Sequence, residues 1–144
     1  MVQKMNSKVH SHMELALAQA RASKCDIPVG CVIVRDDKVL AQAANMVERN
    51  CDSTGHAEIL AIREAGKSLG NWRLDNCELY VTLEPCEMCS WAIIKSRIAR
   101  VYFGAYDTGY SDNVLSSKIE TYGGILEKQC SALLNDYFQG LRNK

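Results

Sequence analysis

An apolar run that ends at a proline and two cysteines is the feature that most constrains this chain. Residues 77–83 predict a buried strand, and Pro85 after it is typical of the first turn of a helix, where a missing N–H costs nothing. On that helix Cys86 and Cys89 lie three residues apart and share one face. Their sulfur atoms can therefore meet the same ion.

A short segment upstream adds two more residue types that suit a metal centre. His56 and Glu58 stand at the start of a predicted helix over residues 56–69, after a polar loop. In a first turn, His56 can reach sideways to an ion bound by Cys86 and Cys89, with Glu58 beside it. One imidazole, two thiolates and a free carboxylate predict a catalytic zinc site with three protein ligands and an open position.

Two other interpretations compete for the cysteine pair. A redox dithiol also opens a helix after a strand, but it normally needs a later proline loop, and Pro28 and Pro85 are the only prolines. A structural zinc knuckle needs four protein ligands, usually from two cysteine pairs. The remaining cysteines are isolated and are interpreted as small buried apolar residues. For Glu58 alone, a first-turn carboxylate favoured by the helix dipole is the better interpretation. The combination with Pro85, Cys86 and Cys89 at a matching helix start favours the catalytic site instead.

Length and composition set the broad class. The 144 residues predict one domain over 1–144, and 17 basic against 17 acidic residues exclude a strongly charged surface overall. Seven cysteines are an odd number, and neither a signal-peptide core nor an apolar run of about 20 residues is present. We therefore expect a cytoplasmic protein with reduced thiols and no membrane association.

Apolar periodicity predicts an α/β protein. The expected helices cover residues 11–24, 56–69, 85–96 and 130–141, and the expected strands cover residues 29–34, 39–44, 77–83, 99–103 and 125–128. Residues 1–8 are expected to fray, and residues 108–124 to be irregular or to form a short helix. A polar turn joins the first two strands as a hairpin, and the strand–helix–strand order around residues 77–103 predicts a parallel pair. The result is a mixed five-stranded sheet with helices on both faces, in three α/β/α layers.

These motifs resemble the zinc-dependent nucleobase deaminase superfamily, and most of all the bacterial tRNA-specific adenosine deaminases within it. The resemblance covers nearly the whole chain and is carried by residues 27–30, Asn45, 56–64, 79–89, 96–105 and the final helix. It implies the cytidine-deaminase-like fold, and one Zn²⁺ per chain bound by His56, Cys86 and Cys89. It also implies that Glu58 carries a proton from a zinc-activated water to the ring nitrogen as ammonia leaves.

The resemblance also implies a set of substrate contacts. Asn45 is expected to grip the edge of the base, although a turn residue is an equally simple interpretation. Val29 and the backbone near Ala57 and Glu84 are expected to pack around the extruded base. Asp107 is expected to contact the neighbouring ribose, which would favour RNA through its 2′-OH, although it could also be an ordinary loop carboxylate.

The implied reaction is deamination of adenosine to inosine at the wobble position of a tRNA anticodon loop, by a homodimer. The apolar residues available for a dimer surface are Met88, Trp91, Ile94 and Ile98, although packing in the core explains them equally well. Phosphates of the anticodon stem-loop are expected to meet basic residues, although a solvated surface is the default interpretation of charged side chains. These residues are Lys95, Arg97, Arg100, Lys128, Arg142 and Lys144.

Two departures from the family pattern keep other functions open. Residues 108–124 form a shorter segment than the family usually has, and Trp91 stands where glycine is usual. The alternative enzyme is a deaminase of a free base or nucleoside, such as cytosine, cytidine or guanine, with the same zinc chemistry. A third interpretation, from a different class, is a non-catalytic partner subunit that keeps zinc for stability.

Overall fold

The computed structural model describes the backbone of residues 2–109 and 114–142, and side chains within those ranges from Ser7 onward. The elements in chain order are α1 Val2–Ala22, β1 Gly30–Arg35, β2 Lys38–Ala44, α2 Val47–Asn50, α3 Ala57–Leu69, β3 Cys77–Leu83, α4 Glu87–Lys95, β4 Arg100–Ala105, α5 Val114–Lys118, β5 Glu120–Tyr122 and α6 Glu127–Arg142. Within the described residues, no helix has the length and apolar character needed to cross a membrane.

The strands form one mixed sheet in the order β2-β1-β3-β4-β5. β1 pairs antiparallel with both β2 and β3, whereas β3–β4 and β4–β5 are parallel. Asp36 and Asp37 turn the β1–β2 hairpin with φ of 50° and 63°, a conformation that aspartate tolerates in two-residue hairpin turns. The predicted hairpin, the parallel β3–α4–β4 unit and the five-stranded mixed sheet are confirmed.

Helices cover both faces of this sheet. Val32, Tyr80 and Tyr102 are register partners on neighbouring strands and therefore share a face, where Tyr80 contacts His12 of α1 at 4.9 Å between ring centroids. The α6 residue Cys130 packs under Gly104 on this same face. α3 and α4 lie on the opposite face, so β1, β3 and β4 are covered on both sides, which explains their nearly continuous apolar sequences.

Close packing of α1 on β1 fixes the first strand beside the future site. A Cβ on Gly30 would lie 1.9 Å from the Ala16 carbonyl oxygen, a distance that no side chain can occupy. The close backbone approach predicted at Gly30 is therefore confirmed. The Gly30 amide also donates to the Thr82 hydroxyl at 3.1 Å, which ties the start of β1 to the end of β3.

The last strand differs from its prediction. β5 is Glu120–Tyr122 and not residues 125–128, because Gly124 and Leu126 have φ of 80° and 51°, which ends any extended geometry before α6 begins. Tyr122 stacks on Tyr102 with ring centroids 5.2 Å apart, and this contact holds the short strand in register. The expected short helix in the preceding segment is α5.

The first helix also differs. α1 begins at Val2, so the expectation of a frayed start is wrong for residues 2–8, while Met1 lies outside the described residues. The helix extends towards the β1–β2 turn, where Lys8 forms a salt bridge with Asp37 at 2.8 Å. α2 was not expected within the polar loop after β2, because a four-residue helix has no apolar period to recognise.

Candidate metal centre and substrate cavity

The starts of α3 and α4 bring His56, Cys86 and Cys89 together. His56 is the N-cap of α3 and Cys86 the N-cap of α4, both in extended conformation, and Cys89 lies in the first turn of α4. The His56 Nδ1 atom lies 3.6 Å from Cys86 Sγ and 3.5 Å from Cys89 Sγ. The ligand atoms of the three residues all lie within 4.8 Å of one another. The sequence-based grouping of these residues is confirmed.

Backbone hydrogen bonds at the ends of β3 and β4 place this cluster. Leu83 pairs with Ala105 at the carboxyl end of the parallel strands, and the Glu84 amide donates to the Ala105 carbonyl at 2.9 Å. The chain then turns into α4, with Pro85 before the N-cap. The prediction that Pro85 occupies the first turn is therefore wrong, because α4 begins at Glu87 and Pro85 precedes its N-cap. The cysteines still share one side because the N-cap lies one turn before Cys89.

The donor set fits zinc. Zn–S distances of about 2.3 Å and Zn–N distances of about 2.0–2.1 Å place nitrogen and sulfur ligands of a tetrahedral site about 3.6 Å apart, close to the two observed distances. Among the described residues, no fourth histidine, cysteine or carboxylate joins the cluster. Three protein ligands match a catalytic site with an open position and not a closed structural knuckle.

Electrostatics favour the thiolate, which is the metal-binding form, at Cys86. Cys89 and His56 hydrogen-bond to the Cys86 sulfur and lower the pKa of Cys86 to about 4, while the contact with Cys86 and burial raise the pKa of Cys89. A thiolate is the form of cysteine that binds metals.

Of the isolated cysteines, Cys31, Cys77 and Cys130 are buried as expected. The expectation is wrong for Cys25 and Cys51, which are exposed.

Glu58 lies beside the cluster, in the first turn of α3. Its side chain is 4% exposed, and burial raises the pKa of Glu58 to about 7 because the charged carboxylate loses solvation. A carboxyl group with a pKa near neutrality can both accept and release a proton at physiological pH. The structure therefore places a carboxyl group that can exchange a proton near neutral pH next to three potential metal-ligand atoms.

A cavity of about 370 Å³ opens on this group. It is lined by His56, Cys86 and Glu58, and it also contains every residue expected to contact substrate, namely Val29, Asn45, Ala57, Glu84 and Asp107. This volume is within the range of small-molecule sites. Residues that are far apart in the sequence therefore line one site.

Three hydrogen bonds set the orientation of the cavity walls. Asn45 Nδ2 donates to the Ile27 carbonyl at 3.3 Å, and Asn45 Oδ1 accepts from the Val47 amide at 3.3 Å. Because a carboxamide has two N–H groups and two lone pairs, each of these atoms has capacity for one further hydrogen bond. Across the cavity, the Asp107 amide donates to Glu84 Oε1 at 3.0 Å, which fixes the loop after β4.

Sequence reasoning missed two parts of the lining. Tyr137, Phe138 and Leu141 of α6 form an apolar wall, with Phe138 40% and Leu141 51% exposed. Their helical period predicted the helix but could not show which of them face an opening and which the core. Asp26 also lines the cavity, and nothing in its sequence context distinguishes it from a turn residue.

The described basic residues that were expected to meet phosphates do not line the cavity itself. Arg100 lies at the opposite end of β4 and forms salt bridges with Glu78 at 3.1 Å and Glu120 at 3.6 Å. Lys95 and Arg97 line a separate surface depression. No lysine or arginine among the described residues lines the cavity, and Lys144 lies outside that part of the chain.

Two residues of the expected dimer surface have distinct positions. Trp91 is 40% exposed and lines that same surface depression, together with Trp72 and Ile94, so its bulk does not enter the cavity. Ile98 is 3% exposed and belongs to the core, so its assignment to a dimer surface is wrong. Met88 and Trp91 remain as exposed apolar residues on α4.

Comparison with known proteins agrees with this geometry. Residues 6–105 match the family model of the cytidine and deoxycytidylate deaminase zinc-binding region, so the match includes the entire metal cluster. The tRNA-specific adenosine deaminase of Bacillus subtilis (strain 168) is 39% identical over 92% of this chain and 90% of its own length.

Solved structures of two deaminases superimpose on this chain. A chain from a study of A-to-I editing by tRNA:A34 deaminases superimposes with a TM-score of 0.82 at 39% identity, covering 86% of this chain and 99% of that one. A guanine deaminase from Nitrosomonas europaea superimposes with a TM-score of 0.75 at 25% identity, covering 92% of this chain and 83% of that one. This chain therefore belongs to the cytidine and deoxycytidylate deaminase zinc-binding family.

Proposed function

We propose that this protein is a zinc-dependent hydrolase that converts adenosine to inosine at the wobble position of a tRNA anticodon loop. The observation that carries the proposal is likeness over about nine-tenths of the chain to proteins named tRNA-specific adenosine deaminases. The cavity supports it because the proton carrier, the metal ligands and the expected base contacts share one space. The whole chain, residues 1–144, would act as a single deaminase domain.

His56, Cys86 and Cys89 would hold one zinc ion per chain, through Nδ1 and the two Sγ atoms. Zinc in such a site acidifies a water molecule at its open position. Glu58 would accept a proton from that water and deliver it to the purine ring nitrogen, while the water oxygen bonds to the carbon that bears the exocyclic amine. Glu58 would then move the hydroxyl proton to the amine, and the C–N bond would break as ammonia leaves. The buried position of Glu58 supports this role, because few competing solvent molecules reach the carboxylate.

Asn45 would hold the base at its polar edge, through the remaining hydrogen-bonding capacity of its amide. Val29 would pack against the ring, and the backbone near Ala57 and Glu84 would complete the pocket. Asp107 would contact the ribose and select RNA through the 2′-OH. A base must leave its stack to enter such a cavity, which suits an anticodon loop whose bases are already unpaired.

Asn45→Ala is expected to raise KM for the RNA substrate by about tenfold or more with a smaller change in kcat, because the amide binds the base before and during reaction. Steady-state kinetics on an anticodon stem-loop would measure both constants. Asn71→Ala provides a control, since this exposed asparagine lies outside the cavity. An unchanged KM would show that the Asn45 side chain stabilises the local turn and does not bind the base.

A second candidate is a deaminase of a free purine base. The observation that favours it is the acidic lining of the cavity, where Asp26, Glu48, Glu84 and Asp107 are present without any lysine or arginine of the described chain. Such a lining suits a neutral base better than a polyanion. The structural likeness to a guanine deaminase points the same way, although at lower identity than the likeness to the tRNA enzymes.

Incubation with each type of substrate in turn separates the two candidate functions. The purified protein, loaded with zinc, would be incubated with tRNA and separately with adenine, guanine, cytosine and cytidine, and both inosine in RNA and released ammonia would be measured. Inosine confined to the first anticodon position is the expected result. Ammonia from a free base with unmodified tRNA would overturn the proposal in favour of the second candidate.

We also propose that the protein is a cytoplasmic homodimer. Met88 and Trp91 lie three residues apart on α4 and both are exposed, so they offer apolar surface that a second copy would cover. A cytoplasmic location follows from a tRNA substrate and from cysteines that are free in the structure.

A further inference from the structure

We propose that Asp26 is a positioning residue that holds the base-binding segment, residues 45–49, against the cavity. Asp26 makes no contact with the metal cluster. It acts instead on the backbone that carries Asn45. The inference rests on the proposed role of Asn45 in binding the base, and it adds a residue to which no function is otherwise assigned.

Asp26 is a buried carboxylate with two backbone partners. Its side chain is 3% exposed, and Oδ1 accepts the Glu48 amide at 2.7 Å while Oδ2 accepts the Arg49 amide at 3.3 Å. Hydrogen bonds from backbone amides to a carboxylate are stronger than those between neutral groups. A buried carboxylate without such partners would be costly, so these contacts account for its position.

The amides it binds have no other cap. Glu48 and Arg49 belong to α2, a helix of four residues whose N-cap, Met46, makes no side-chain hydrogen bond. The first amides of a helix have no partner within the helix and need one from outside. A four-residue helix is also too short to be stable alone. Asn45 Oδ1 accepts only the Val47 amide, so Asp26 supplies, from a distant part of the chain, the acceptors for the next two amides of α2.

The same two segments are joined again at Asn45. The Asn45 amide donates to the Val29 carbonyl at 3.0 Å, and its side chain donates to the Ile27 carbonyl at 3.3 Å. Asp26 and Asn45 thus lie at the two ends of one clamp between residues 26–29 and residues 45–49. Loosening the Asp26 end frees α2 and lets the Asn45 side chain leave the orientation that faces the cavity.

A general structural role would have different consequences from a positioning role. Asp26→Asn keeps the size of the side chain but replaces one acceptor oxygen with an N–H₂ group, which cannot accept from a backbone amide. A positioning role predicts KM about tenfold higher, kcat within about threefold and unchanged zinc content. It also predicts that Asp26→Asn adds little to KM when Asn45 is already alanine, because the two act through one contact.

The experiment compares the unmodified protein, Asp26→Asn, Asn45→Ala and the double variant, each as the zinc-loaded full chain. Asp37→Asn is the matched control, since it removes an exposed carboxylate whose partner is Lys8, far from the cavity. Kinetics use whichever substrate the unmodified protein deaminates, so failure on tRNA would count against the proposed function and not against this inference. Hydrogen exchange of the residue 45–50 amides is measured in parallel and needs no substrate.

Faster exchange confined to residues 45–50 in Asp26→Asn, with a raised KM that does not add to that of Asn45→Ala, is the expected result. Unchanged exchange in that segment would overturn the inference even if no substrate were turned over. Additive effects on KM, loss of zinc or faster exchange throughout the sheet would also overturn it, because each would indicate a general loss of stability.

Discussion

Replacing Glu58 with glutamine is expected to lower kcat by at least about a hundredfold while zinc content stays at the level of the unmodified protein, since general acid–base groups contribute about 10²–10⁴ in rate. Glutamine preserves the size of the side chain and its place in the first turn of α3. It cannot accept or release a proton, so only the transfer step is removed. Glu58 is the acidic residue in the first turn of α3, so no neighbouring carboxylate in that described turn can replace it.

The measurement is single-turnover deamination together with zinc analysis of the same samples. Glu87→Gln is the matched control, because Glu87 occupies the corresponding first turn of α4 but is exposed and lies outside the cavity. It should keep nearly full activity. If Glu58→Gln retained normal turnover, Glu58 would be a helix-dipole residue and the proton would have another carrier, so the proposed chemistry would be wrong.

The sequence could predict the metal cluster because each of its parts has a local signal. A proline and two cysteines after a strand mark one helix start, and His56 with Glu58 marks the other. What brings the two starts together is the parallel pairing of β3 with β4 and the packing of α3 on β1. The strand–helix–strand order indicated the parallel pairing but not the packing of α3. The error at Pro85 moved the helix start without separating the ligands.

Elsewhere the sequence carried no comparable signal. The position of β5 depends on stacking of Tyr122 on Tyr102 and on positive φ at Leu126, and neither follows from apolar periodicity. The α6 wall of the cavity and the Asp26 cap are contacts between segments more than twenty residues apart. Local propensity describes each segment alone, so contacts of this kind become visible only once the tertiary structure is known.

Loss of one metal ligand should lower zinc affinity more than any substitution in the cavity wall. Cys86→Ala is expected to lower zinc affinity by more than about a hundredfold, since even residues that only support a ligand cost about 10–100-fold. A chain that binds zinc only when folded is stabilised by the ion, by about 4 kcal/mol at a zinc concentration a thousand times Kd. Added zinc should therefore raise the Tm of the unmodified protein, and it should raise the Tm of Cys86→Ala much less, since a hundredfold weaker affinity leaves about 1.4 kcal/mol of stabilisation at the same concentration.

Cys51→Ser is the control that shows whether zinc binding needs a cysteine within the cluster or is weakened by the loss of any cysteine. Cys51 is exposed and far from the three ligand atoms, so this variant should bind one zinc ion per chain and respond to added zinc like the unmodified protein. Full zinc occupancy in Cys86→Ala would exclude Cys86 as a ligand. In that case, the 3.6 Å approach of its sulfur to His56 would be an ordinary hydrogen bond, and the redox dithiol interpretation would need a new test.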